Sequence, residues 1–143
     1  MNNRLGPLWE IAILAVIAAG SAVNALWMLV APRHWYEVVP GVADFGPFNE
    51  HFVRDIGCVY LTGGLALTWA LFTRRWRFPL VAPVALFQGG HALLHVFDTA
   101  RGHVSAHHWW LDLPTIHLPA VLLLAVAVSA GRTARLTRAE ARS

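Results

Sequence analysis

Residues Leu8 to Ala31 read LWEIAILAVIAAGSAVNALWMLVA, and the choice between leader peptide and membrane helix for this stretch decides the fold. Arg4 precedes it, and Ala18-Ala19-Gly20-Ser21-Ala22 resembles the small-residue region where a secretory leader is cleaved. The apolar run, however, continues through Leu26-Trp27-Met28-Leu29-Val30. That is too long for the apolar region of a leader, so an uncleaved membrane helix is expected. Three further apolar stretches follow: Ile56–Phe72, Leu80–Phe97 and Leu113–Gly131. Each approaches the roughly 20 residues a helix needs to cross a bilayer core of about 30 Å. The third contains Pro83, Gly89 and Gly90, which points to a kinked or partly re-entrant segment.

Composition agrees. The chain has 143 residues, 57% of them hydrophobic and 13% charged, with a mean hydropathy of +0.50. Soluble domains usually carry about 25% charged residues. The expected architecture is therefore an all-α integral membrane four-helix bundle, one domain over residues 1–131, followed by a basic cytoplasmic tail over 132–143. There is no lysine, and the arginines cluster beside apolar segments, not along one polar face. This argues for topology signals and against nucleic acid as a partner. Arg4 precedes the first helix; Arg74, Arg75 and Arg77 fill the loop between the second and third; Arg132, Arg135, Arg138 and Arg142 follow the fourth. The other two loops hold only Arg33, Arg54 and Arg101, mixed with acids. The positive-inside rule then places both termini in the cytoplasm and loops 32–55 and 98–112 outside, in a multi-pass protein of a bacterial inner membrane. Trp27, Trp35, Trp109 and Trp110 fit an outer aromatic belt, and Trp9, Trp69 and Trp76 an inner one. The tail is expected to lie on anionic lipid.

All eight histidines fall at or near the outward side of this layout: His34, His51, His91, His95, His103, His107, His108 and His117. On the third helix, Gln88, His91, His95 and Asp98 recur at spacings that keep them on one stripe of an otherwise apolar helix. Such a stripe should face the bundle interior. His51 and Asp55 share a face at the start of the second helix, and His117 follows Asp112 on the fourth. The expected site is thus built from His51, His91, His95 and His117, supported by Asp55, Asp98, Arg54 and Gln88. Bundle-core metal sites are assembled in this way from facing helices. The aspartates would serve as ligands or as acceptors that fix each ring's tautomer.

Plainer readings stand beside these. His34, His103, His107 and His108 read as solvated interfacial histidines, and Arg54 as an ion-pair partner of Asp55 or Asp98. Glu10 reads as a snorkelling or capping group. Thr62 and Asn24 read as interhelical hydrogen-bonding groups, and Gly57, Gly63 and Gly64 as a close-packing face. The single cysteine, Cys58, excludes an internal disulfide and reads as a buried, inert thiol. Between the first two helices, Pro40-Gly41 and Gly46-Pro47 mark turns, while Trp35, Tyr36, Phe45 and Phe48 give the loop enough apolar weight to fold over the bundle as a lid.

The run Trp35-Tyr36-Glu37-Val38-Val39-Pro40-Gly41-Val42, with Gly46-Pro47-Phe48-Asn49-Glu50-His51-Phe52-Val53-Arg54-Asp55-Ile56-Gly57 and His91-Ala92-Leu93-Leu94-His95 before Asp98, resembles an uncharacterised bacterial family of small four-helix membrane proteins. Its layout is similar to the broader DoxX-like group. The resemblance covers roughly residues 24–98 and implies the fold, not an activity. His91-x-x-x-His95 and His103-x-x-x-His107-His108 also resemble two histidine boxes of membrane desaturases and hydroxylases. The third box is missing, and in that family the boxes face the cytoplasm.

The function these observations favour is an outward-facing histidine/aspartate site binding a metal ion (Cu, Zn or Fe) or haem b for redox work. Two alternatives stand: a proton-linked transport or accessory subunit without metal, and a di-iron protein of the desaturase or hydroxylase kind. Membrane lipid is the expected surrounding, with a homo-oligomer or a larger membrane complex as the further partner. No phosphate loop, dinucleotide fingerprint or activated nucleophile is present, so kinase, dehydrogenase and hydrolase readings find no support.

Overall fold

The computed structural model describes residues 5–140, with Thr137 and Arg138 placed by backbone alone. Arg4 and Arg142 of the topology argument therefore lie outside the described residues, as does the tail beyond Glu140. The elements are α1 (Leu8–Val30), α2 (Pro32–Val38), a 3₁₀ turn (Val42–Phe45), α3 (Glu50–Phe72), a second 3₁₀ turn (Arg74–Trp76), α4 (Arg77–Ala100), a one-turn α5 (His108–Leu111), a π-helical turn (Leu113–His117) and α6 (Leu118–Glu140). Four helical segments are long and apolar enough to cross a membrane: Leu8–Val30, Glu50–Phe72, Arg74–Ala100 and Leu113–Leu136. The third is one continuous helix. Pro83 removes one backbone donor but α4 runs through it as one helix of 24 residues.

Two helix pairs make the bundle, α1 against α3 and α4 against α6, joined where α3 meets α4. Glycine sets the first pair. A Cβ on Gly57 would stand 3.1 Å from Cβ of Met28, and one on Gly64 3.3 Å from both the Ala18 carbonyl oxygen and the Ala22 nitrogen. Backbone at that distance cannot step aside as a flexible side chain can. A Gly64→Leu variant should therefore lose about 1–3 kcal/mol by overpacking, read as a lower midpoint in detergent-mediated unfolding. Gly63 meets only Val84, across the α3–α4 seam.

The apolar core lies towards the end of the bundle that carries the termini. Leu14, Leu67, Val81, Leu123 and Val126 are fully buried there, one or two from each long helix. Below them sits a polar knot. Arg77, 0% exposed, donates from Nη1 to Oε2 of Glu10 at 2.7 Å, from Nε to the Ala70 carbonyl at 3.1 Å and from Nη2 to the Leu5 carbonyl at 2.8 Å. Ser129 donates to the second carboxylate oxygen of Glu10 at 2.6 Å. Glu10 thus neither snorkels nor caps, and Arg77 is a buried ion-pair partner, not a loop charge. The pair satisfies two backbone carbonyls and a carboxylate together, the condition under which buried charge is tolerated.

Two smaller expectations change and a third holds. Cys58 is exposed on the outer surface of α3, not buried. Thr62 bonds back to the Cys58 carbonyl of its own helix at 2.9 Å, so it links no pair of helices. Asn24 does connect elements, accepting from the Trp35 indole of α2 at 2.8 Å.

Candidate functional site

At the end opposite the termini the bundle is polar, and the segment between α1 and α3 folds across it. Pro32 starts α2 at the first helical position, where its missing N–H costs nothing. The Tyr36 hydroxyl donates to the Gly46 carbonyl at 2.7 Å, closing the loop on itself. The Arg33 guanidinium lies 4.5 Å over the Phe48 ring. Asn49 then caps α3, its side chain accepting from the Phe52 N–H at 3.1 Å. Gly41 takes a positive φ of 81°, and a Cβ there would come 2.7 Å from Cε1 of His108 and from Cδ2 of Leu111. Only glycine lets the cap approach α5 this closely.

The cap delivers Asp44 and Phe45. Asp44 Oδ2 meets Nε2 of His108 at 3.0 Å, across 64 positions of sequence. Nδ1 of His108 faces the Asp112 carboxylate at 3.2 and 3.3 Å. Asp112 Oδ2 also holds Nδ1 of His95 at 2.8 Å. The Phe45 ring covers the cluster, its centroid 4.6 Å from that of His95 and 5.1 Å from that of His108. Deeper along α4, His91 packs edge-on against His95 at 4.6 Å. His117 and Asp112 lie within electrostatic reach of His91. Gln88 is buried one turn further in, beside the Tyr60 hydroxyl.

The geometry fixes most of the protonation. Both ring nitrogens of His108 face carboxylates, and imidazole donates from both only as the cation. Burial alone pushes the His108 pKa down, but hydrogen bonds to Asp44 and Asp112, with their charges, outweigh it and hold it above its ordinary 6.5. His95 donates from Nδ1 to Asp112, which leaves its Nε2 as a lone pair.

The raised His108 pKa makes a pH prediction. A group whose pKa is higher in the folded state contributes stability that is complete below its unfolded value, here 6.5, and lost as pH rises through the folded value. Cap docking should therefore weaken on the alkaline side. Proteolysis of segment 39–49 should accelerate as pH rises through that window. Asp44→Asn should show rapid cleavage throughout, and an unchanged cleavage rate in the parent protein would refute the assignment.

Of the expected site residues, the structure brings His91 and His95 together, with His117 nearby. His51 stands apart: its side chain is 89% exposed and pairs with Asp55 at 3.4 Å. Asp98 turns to His103 at 3.1 Å, and Arg54 pairs with Glu50 at 2.6 Å and donates to the Leu29 carbonyl at 3.3 Å, so neither reaches the site. His34 accepts from the Trp27 indole at 2.9 Å. His108, read from sequence as a solvated loop residue, is 1% exposed. Asp44, His108 and Asp112 are the residues sequence reasoning left out of the site. The four-residue step from His108 to Asp112 was a usable signal, while nothing local announces Asp44. Among the described residues, no group of three or more His, Cys, Asp and Glu side chains is arranged to hold a metal ion.

No family model, curated protein or solved structure matches the chain.

Proposed function

We propose that this is a multi-pass protein of a bacterial inner membrane, termini cytoplasmic, whose outward cap covers a histidine–carboxylate relay that moves protons between the outer surface and the membrane interior. One observation carries the reading: the continuous chain Asp44–His108–Asp112–His95, with His91 against its inner end. Ionisable groups placed within membrane helices mark proton routes and sites coupled to them. The closed apolar core beneath, from Leu14 to Val126, stops the route half-way. The relay therefore supports proton exchange at a site within the membrane, as in a proton-linked transport or accessory subunit, and not an open channel.

A redox cofactor is the second reading. An aspartate fixing Nδ1 of His95 is the arrangement that orients metal-binding imidazoles, and His91 and His117 are close by. Two measurements on protein purified in mild detergent separate the readings. Nitrogen-15 spectra of the histidines should show His95 protonated at Nδ1, with Nε2 free. Metal analysis and an optical spectrum should find no stoichiometric metal and no Soret band. A bound metal or haem lost in a His95→Ala variant would overturn the relay in favour of the cofactor.

A further inference from the structure

Between α4 and α6 a groove of about 1710 Å³ opens on the surface of the bundle, reaching Glu10 of α1 at one end and His117 at the other. Its long walls are apolar, among them Leu86, Leu93, Leu124 and Val128. Its end near the termini is lined by Arg74, Arg75, Arg132 and Arg135, all exposed. None of the ion pairs among the described residues uses any of these four; the acids of those pairs go to Arg33, Arg54, Arg77 and histidines. We propose that the groove is a specific site for one anionic phospholipid, its phosphate on the arginine cluster and an acyl chain along the α4–α6 seam. This does not rest on the proton relay, which lies at the other end of the bundle.

Three observations favour a lipid over a second copy of the chain. First, the charge is one-sided: a copy docking through the same face would bring like arginine clusters together. Second, the groove runs along α4 from Arg77 to Val96, about 28 Å at 1.5 Å per residue. That is ample for a chain filling its half of a bilayer core about 30 Å thick. Third, Gly89 and Gly90 line it in mid-helix, where glycine is disfavoured relative to alanine. Unlike Gly57 and Gly64, neither has any atom within 4 Å of where a Cβ would stand. No helix of this chain explains their lack of side chains; an occupant lying against the α4 backbone does.

The test is native mass spectrometry of the full chain in mild detergent, titrated in parallel with phosphatidylglycerol and phosphatidylcholine of the same acyl chains. One phosphatidylglycerol should be retained per chain, at least tenfold more tightly than phosphatidylcholine. In a variant combining Arg74→Gln, Arg75→Gln, Arg132→Gln and Arg135→Gln, that preference should vanish. Gly90→Phe, which fills the groove and leaves every arginine in place, should also lose the retained lipid while keeping parental helicity and a single elution peak. Equal retention of the two lipids by the parent protein, which needs no variant, would overturn the proposal. So would undiminished retention by Gly90→Phe, or a dimer cross-linked through α4 and α6 that excludes lipid.

Discussion

Replacing Arg77 by alanine should destabilise the protein by about 3–5 kcal/mol, the cost of removing one partner from a buried ion pair. The Glu10 carboxylate would stay within the bundle, 3% exposed, with only the Ser129 hydroxyl to replace the guanidinium. The carbonyls of Leu5 and Ala70 would lose their donor at the same step. The pair itself need not be stabilising against an apolar core; the penalty comes from stranding a charge in a place water does not reach. This distinction is testable. Glu10→Leu combined with Arg77→Met should lose clearly less than Arg77→Ala alone, because no charge is left behind. Unfolding in a denaturing detergent, followed by helicity, reads both. Arg77→Ala within experimental error of the parent protein would show that the ion pair is exposed to water in solution.

The same arginine shows what a sequence can and cannot convey about such a fold. Apolar length and the closeness of glycines are local properties, so four helices and a close-packing face at Gly57 and Gly64 could be read directly, but not that α1 is the helix it meets. Whether an arginine beside an apolar segment meets lipid headgroups or turns inward depends on what stands opposite, here a glutamate 67 positions away. Arg74 and Arg75, in the same cluster, stay exposed. The candidate site divides in the same way. His91 and His95 could be paired from helical spacing alone. The stripe misled at its end, where α4 stops and Asp98 bonds to His103 just beyond it. On the fourth segment, the π-helical turn lets the Asp112 carbonyl accept from both Ile116 and His117, at 2.8 and 3.1 Å. A register change of this kind leaves no periodic signal, so the depth and facing of His117 could not be deduced from 3.6-residue spacing. The lid was legible as a composition, with turns and aromatic weight in the right places. Its charged contact with the bundle, Asp44 on His108, joins segments that only the folded chain brings together.

Asp112→Asn should have the largest effect on the site itself. One carboxylate holds His95 through Nδ1 at 2.8 Å and faces Nδ1 of His108 at 3.2 Å, so a single neutralisation acts on both rings. For His108 the sign is plain: with one of its two stabilising carboxylates gone and burial unchanged, its pKa must fall from its raised position. For His95 the consequence is positional. An amide can offer either its oxygen or its NH₂ to Nδ1, so the tautomer with a free Nε2 is no longer enforced. If that nitrogen is the proton acceptor, exchange through the relay should slow by about 100-fold or more, the scale on which a positioned acid–base group acts. Proton uptake after a pH jump, followed with an indicator dye, measures this directly. Asp55→Asn is the matched control, since it removes an equal charge from the exposed pair with His51 and should change nothing. Helicity unchanged from the parent protein would separate lost relay function from lost fold. Equal uptake rates in Asp112→Asn and the control would mean that protons reach His95 from the membrane side, and that the Asp44–His108–Asp112 chain only fastens the cap.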